Sequence, residues 1–390
     1  MEIEKLFEPE VQKFIQENRY ADIRQLALKA QGKFDLPLGF LMDQINGKQK
    51  AKKKLPSWFD NDKIVYPADI SMQQCSSEIS ATLKTKHLSQ GGTCIDLGGG
   101  LGIDTYYLAQ KFEKVIYVEQ NEDLCQIVAH NFKAFKINNV EVVHANGEEF
   151  IQSYDGKVDL IFLDPARRDQ EQNRIFQFED CSPNIIELEK LLLNKGKNLL
   201  IKASPLIDIT SAYHQFPEFK TCQIIGINNE CKEVMFSTFE NLPSLTCLHW
   251  TNGKLEEYTF DKSTEVFNGF TKAQQGGYIY EPNVTIRKAQ QQDQIANQFD
   301  IGKLFKNGSL YFSTDLKADF PGRIFKLEQE LTNKKQIQKL KQAEVISKNY
   351  PLIATDFKKK YKLAASAQNF IFAFTDYTDQ KQVWLCSKPS

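Results

Sequence analysis

Thr93-Cys94-Ile95-Asp96-Leu97-Gly98-Gly99-Gly100-Leu101-Gly102 decides the fold. An apolar run of strand length ends in a glycine loop, and a helix-period segment follows at about 104–112. Glycines let a backbone turn tightly and approach a ligand closely. The spacing is Gly-x-Gly-x-Gly, and Ile103 stands where a dinucleotide fingerprint wants its third glycine. No pyrophosphate cradle is read here. Asp96, at the strand tip, would repel a diphosphate but suits the amino acid moiety of a cationic ligand.

Downstream, strand-like runs at Val115–Val118, Val140–His144, Val158–Leu163 and Asn198–Lys202 alternate with helical segments at 121–135, 147–153 and 183–194. Repeated strand–helix–strand units imply a parallel sheet covered on both faces. Two further runs, Cys222–Ile227 and Val234–Phe239, flank Asn228-Asn229-Glu230-Cys231-Lys232-Glu233. So short a connection requires an antiparallel pair. Five parallel-type strands and a terminal hairpin give an α/β fold, the Rossmann-like seven-stranded sheet of a class I methyltransferase. Helical signals fill the first 88 residues, and smaller α+β segments follow the sheet. The expected domains are 1–88, 89–242, 243–317 and 318–390. The third is read with a helix near 284–298. The fourth is read with a Lys/Gln-rich helix at 333–348 and strands at Asn369–Thr375 and Gln382–Ser387.

Candidate site residues lie at the strand tips, where open α/β sheets bind ligands. Glu119 ends the second strand, placed to accept hydrogen bonds from ribose hydroxyls. Asn146 and Glu148 follow the third, where an adenine edge would lie. With Asp96, Gly98, Gly100, Gly102 and Asp164 they form the expected site for S-adenosylmethionine. The alternative is that the carboxylates cap helices and the glycines merely turn the chain.

The fourth strand delivers Leu163-Asp164-Pro165-Ala166-Arg167-Arg168-Asp169. Methyltransferases of amino groups often carry an acidic or amide residue, two prolines and an aromatic here. This chain keeps Asp164-Pro165 and replaces the rest with Ala166 and Arg167. Asp164, Pro165 and Arg167 are the catalytic candidates. Arg167 and Arg168 suit a phosphate or a stacked base, or else form surface ion pairs. Lys202 and Ser204 after the fifth strand, with Asn229, Glu230 and Lys232 on the hairpin, complete the expected substrate set. Cys231, beside Lys232, reads as an inert thiol rather than a nucleophile.

Composition narrows the alternatives. Of 390 residues, 41% are apolar and 25% charged, an ordinary globular balance. With 49 basic and 50 acidic side chains, polyanion binding must rely on local patches. The start MEIEKLFEPE has no apolar signal region, and no 18-residue apolar run exists, so a cytoplasmic protein without a membrane span is expected. Eight cysteines without a Cys-x-x-Cys pair read as reduced thiols, and no metal site is expected.

Taken together, these residues resemble methyltransferase-like proteins of Bacteroidetes-type bacteria with a ferredoxin-like domain and a C-terminal THUMP-like domain. Further markers are Gln74-Cys75-Ser76-Ser77-Glu78, His130-Asn131-Phe132, Glu179-Asp180-Cys181, Tyr280-Glu281-Pro282-Asn283 and Asp319-Phe320-Pro321-Gly322-Arg323. The resemblance implies S-adenosylmethionine as donor and RNA, such as tRNA or rRNA, as substrate. Two lysine runs beside aromatics agree with RNA: Lys48–Lys54 before Trp58 and Phe59, and Lys358–Lys362 around Phe357 and Tyr361. Solvated helix faces explain such runs equally well. The competing readings are a small-molecule or protein methyltransferase and a non-catalytic RNA-binding protein. A nicotinamide dehydrogenase is disfavoured by the glycine spacing.

Overall fold

The computed structural model describes residues 3–167, 178–260, 269–366 and 368–389. The chain divides into two compact units, residues 1–227 with 232–246, and residues 228–231 with 247–390.

The first unit opens with six helices: α1 (Pro9–Glu17), α2 (Ile23–Ala30), α3 (Leu38–Lys54), α4 (Pro56–Phe59), α5 (Asp69–Gln74) and α6 (Glu78–Thr85). Asp22 and Ser77 cap α2 and α6 by accepting from backbone N–H groups of the first turn. Then come β1 (Gly91–Leu97), α7 (Ile103–Leu108), β2 (Phe112–Glu119), α8 (Glu122–Ala134), β3 (Val140–His144), α9 (Gly147–Ser153) and β4 (Val158–Leu163). A small ladder joins β5 (Ala166–Arg167) to β6 (Cys181–Ser182). After it run α10 (Glu189–Lys195), β7 (Gly196–Ala203), α11 (Ile209–Gln215), β8 (Thr221–Ile227) and β9 (Glu230–Ser237).

The sheet order in this unit is β3-β2-β1-β4-β7-β9-β8. The first five strands are parallel neighbours, and β9 runs antiparallel to β7. This is the Rossmann-like methyltransferase arrangement read from the sequence. The turn between β8 and β9 places Asn228 and Asn229 at φ +50° and +61°, which suits a two-residue hairpin turn.

The helical segment is not a separate layer. Leu101, Ile103 and Ile127 of the sheet region share one apolar core with Leu41, Ile45, Trp58 and Tyr66. The fully buried Asn131 amide fastens the junction. Its Oδ1 accepts from Val65 N–H and its Nδ2 donates to Val65 C=O, both at 2.9 Å. A buried backbone pair is thereby satisfied without a strand. Trp58 is only 1% exposed, so it is core and not a stacking surface for RNA. Within the first lysine run, Lys48 pairs with Asp62 and Lys50 with Asp69, while Lys54 donates to the carbonyls of Met72 and Gln73. These lysines tie the helices together.

The second unit holds a hairpin, β10 (Leu245–Thr251) and β11 (Lys254–Phe260), turned by Asn252-Gly253 at positive φ. Next are β12 (Tyr278–Pro282), α12 (Val284–Lys288), α13 (Gln292–Gln298), β13 (Gly302–Lys303), β14 (Tyr311–Ser313) and β15 (Gly322–Glu330). The chain ends with α14 (Lys334–Lys339), β16 (Glu344–Lys348), α15 (Ala354–Tyr361), β17 (Phe370–Thr375) and β18 (Lys381–Ser387). Seven of these strands form a sheet in the order β13-β14-β12-β15-β18-β17-β16. Phe370, Phe372 and Phe374 face one core, whereas Ile371 and Ala373 face another, as strand alternation requires.

Two expectations fail here. The helix read at 333–348 stops at Lys339, and Glu344–Lys348 pairs in parallel with Phe370–Phe374. Tertiary pairing overrides the helical leaning of its lysines and glutamines. The helix near 284–298 is broken at Gln290, which sits at φ +58°. In the second lysine run Phe357 is buried, Lys358 pairs with Glu344 at 2.7 Å, and Lys359 and Lys360 lie on the solvent face of α15. That run is a helix exterior packed through its aromatics, not an open stacking platform.

Candidate functional site

At the carboxyl ends of β1, β2, β3 and β4 lies a cleft of about 1100 Å³, wholly within the first unit. The glycine loop forms one wall. Gly98 and Gly100 adopt φ +82° and +54°, where L-residues are strained. A Cβ on Gly99 would stand 2.3 Å from the buried Tyr117 ring. The Tyr117 hydroxyl donates to Gly100 C=O at 2.5 Å, so ring and loop fix each other.

Glu119 faces the cleft from the tip of β2. Its Oε2 accepts from Gly100 N–H at 3.1 Å and its Oε1 from Asn121 N–H at 2.9 Å. A carboxylate offers about four lone-pair directions, so acceptor capacity is left for ligand hydroxyls. Asn146 and Glu148 also line the cleft. Asn146 caps α9 by accepting from Glu148 N–H and Glu149 N–H, and Glu148 accepts from Asn184 N–H at 3.2 Å.

Asp164 and Lys202 stand at the far end, where a second cavity of about 600 Å³ begins. Both cavities are lined by Gln74, Cys75, Ser76, Asp164 and Lys202. Pro165, Ser204 and Lys232 line only the second. Lys202 Nζ lies 2.6 Å from Asp164 Oδ2 and 3.8 Å from Glu233 Oε1. Behind it, Lys84 Nζ lies 2.7 Å from Asp104 Oδ1 and 3.1 Å from Glu233 Oε2. The Ser76 hydroxyl joins Lys84, Asp104 and Glu233. Burial would push the Glu233 carboxyl up, but Lys84 and Lys202 hold it down at about 2. Burial would likewise lower Lys202, yet Asp164 and Glu233 raise it, so it stays cationic. These are charges removed from water and retained only because they pair.

Not every expected residue reaches the cleft. Asp96 is 0% exposed and lines neither cavity. Its Oδ2 accepts from the Thr105 hydroxyl at 2.6 Å, and burial pushes its carboxyl up to about 7. Its neighbours Cys94, Ile95 and Leu97 are equally buried, because both faces of the sheet are covered here. Gly102 lines neither cavity; a Cβ there would press on Val128 and Phe132, so its place is in the packing of α7 on α8. Asn229 and Glu230 also line neither. The Asn229 side chain accepts from Val284 N–H, and its own N–H donates to His249 Nε2. Arg167 is placed only by its backbone in β5, and Arg168 lies outside the described residues. Sequence reasoning missed Lys84, Asp104 and Glu233, and it missed Gln74–Ser76 as a cavity wall. Cys75 also lines both cavities, and burial raises its thiol, so it is no thiolate nucleophile at neutral pH.

Residues 77–192 match the family described as conserved hypothetical protein 95, residues 278–321 a ferredoxin-like domain, and residues 322–388 a THUMP domain-like family. The chain is a methyltransferase-like protein with ferredoxin-like and THUMP-like domains. A solved candidate methyltransferase of Porphyromonas gingivalis W83 superposes over 97% of each chain, with TM-score 0.82 and 23% identity, which establishes the shared fold. A candidate cobalt-precorrin-6B C(15)-methyltransferase of Sulfurisphaera tokodaii is 28% identical over 92 residues, 23% of this chain and 48% of that one. A tRNA/tmRNA (uracil-C(5))-methyltransferase of Vibrio cholerae is 26% identical over 165 residues, 42% of each chain. The chain thus spans less than half the length of these curated relatives, whose names give unlike acceptors. Among the described residues, no helix is long and apolar enough to cross a membrane.

Proposed function

We propose that this chain transfers a methyl group from S-adenosylmethionine to RNA, with a tRNA or rRNA nucleotide as acceptor. The observation that supports it is the meeting of two cavities at Asp164 and Lys202. The larger suits the donor. Its glycine wall brings bare backbone close, Glu119 is set to accept from ribose hydroxyls, and Asn146 and Glu148 flank the adenine end. The donor, when bound, supplies a methyl carbon made electrophilic by its sulfonium.

The smaller cavity suits the acceptor nucleotide. Transfer of this kind is an in-line displacement, so the protein's main task is to align the nucleophile. Asp164 accepts a hydrogen bond from the acceptor, and the Lys202 ammonium, 2.6 Å from Oδ2, orients that carboxylate. The likeness to the Vibrio cholerae tRNA/tmRNA methyltransferase and the THUMP-like segment support an RNA acceptor.

Labelled methyl transfer to total RNA from cells lacking this gene tests the reading. Ribonuclease-sensitive label is expected. Label found only in protein or in small molecules would replace RNA with another acceptor.

The glycine wall makes a separate prediction. Gly99→Val forces two γ-carbons into the Tyr117 ring, and the loop must shift. Calorimetric titration with S-adenosylmethionine is expected to show binding weakened at least about tenfold, a loss of roughly 1.4 kcal/mol. Unchanged affinity would remove the loop from the donor site.

A further inference from the structure

The two cavities of the first unit carry opposite charge. Among the described residues, the charged side chains lining the larger cleft are Asp104, Glu119, Glu148, Asp164 and Lys202, four carboxylates and one ammonium. Those lining the smaller cavity are Lys54, Asp164, Lys202, Lys232 and Glu233, three ammoniums and two carboxylates. The cleft's ammonium is already engaged, because Lys202 Nζ lies 2.6 Å from Asp164 Oδ2 and 3.8 Å from Glu233 Oε1. Lys84, 1% exposed, is likewise engaged by Asp104 and Glu233. In this network three carboxylates face two lysines, so one negative charge is left over.

The surplus lies close to where the cavities meet. Asp164 lines both, and Asp104 Oδ2 lies 2.9 Å from the hydroxyl of Ser76, which also lines both. A neighbouring group registers it. Burial is the main cause that holds the Asp96 carboxyl up, and the charges of Asp104 and Asp164 add to it. Charges partly withdrawn from water are screened less than surface charges, so they act strongly on a ligand beside them.

A methyl group that passes from one cavity to the other leaves its carrier at their junction. On the donor reading of the larger cleft, on which this inference rests, the sulfonium therefore comes next to the surplus charge. When the methyl departs, the carbon–sulfur electron pair stays on sulfur. The donor thus carries a positive charge where the product, S-adenosylhomocysteine, is neutral. The adenosine and amino acid parts of the two are the same.

We infer that Asp104 and Asp164 make the cleft selective for ligand charge, so that it holds the cationic donor more tightly than the neutral thioether product. Product release is favoured after each transfer, and accumulated product competes poorly with fresh donor.

The test is calorimetric titration of the full chain with three ligands: S-adenosylmethionine, S-adenosylhomocysteine and sinefungin, which carries a protonated amine on carbon in place of the sulfonium. The two cations are expected to bind at least about tenfold more tightly than the thioether. Asp104→Asn and Asp164→Asn each remove one negative charge at nearly constant shape. Each is expected to narrow that ratio at least about threefold. Thermal melting checks folding, and if Asp104→Asn does not fold, Asp164→Asn, whose side chain is 37% exposed, carries the test. Thioether binding as tight as that of S-adenosylmethionine would overturn the inference. So would sinefungin binding no tighter than the thioether, or an unchanged ratio in the folded variants. Binding of none of the three ligands would instead remove the donor reading, and this inference with it.

Discussion

Asp164→Ala is expected to cut methyl transfer by at least about 100-fold, the low end of what a positioned acid–base or orienting group contributes. Asp164 is a catalytic candidate whose described side chain lines both cavities and is held by a fixed partner, Lys202 at 2.6 Å. Its side chain is 37% exposed, so its loss should not unfold the first unit. The variant also leaves Lys202 facing Glu233 alone at this end of the chain of charges. Donor affinity should therefore fall much less than turnover. Single-turnover transfer of label, alongside calorimetric donor binding, separates the two. Full turnover in a folded Asp164→Ala protein would remove the carboxylate from the chemistry.

Lys84→Met is expected to destabilise the first unit by about 3–5 kcal/mol at neutral pH. Lys84 is 1% exposed and stands between Asp104 and Glu233. Removing one partner of a buried charge cluster leaves the others without compensation, and losses of this size are typical. The pH dependence follows from Glu233. Its folded pKa, about 2, lies below the ordinary value of 4.5. As pH falls, the unfolded chain takes up the proton first. The stability from this group is therefore complete above about pH 4.5 and is lost as pH drops toward 2. Without Lys84 that contribution shrinks, so the variant's deficit should be largest at pH 7 and narrower near pH 3. Hydrogen exchange of the β1 and β4 amides reads the opening of this unit alone. A deficit under about 1 kcal/mol at pH 7, or one that grows as pH falls, would contradict this account of the cluster.

Much of the first unit was legible because its signals are local. Apolar runs, a glycine loop and an Asn-Asn turn each act within a few residues, and together they specify the sheet. The same locality explains the misreadings. Asp96 occupies a strand-tip position, but which way it faces depends on Thr105 and on the packing around it. Trp58 beside lysines looks like a nucleic-acid surface until the helical core closes over it. The Lys/Gln-rich stretch at 333–348 looks helical until β17 supplies a pairing edge.

Charge clusters were the least legible. Ser76 and Glu233 meet from 157 residues apart, and Lys202 reaches Asp164 across 38. Glu281 and Arg323 were noticed as separate motifs, but nothing in either shows that they become cross-strand partners. Such groups carry no periodicity. They are recognisable only once the fold brings them out of water together, where an unpaired charge would be costly.

The most direct test of the central reading is a calorimetric titration of the intact chain with S-adenosylmethionine, run in parallel with NAD. The glycine loop and Glu119 lead us to expect saturable one-to-one binding of the methyl donor and none of the dinucleotide. No binding of the donor, or binding of NAD in its place, would contradict the account.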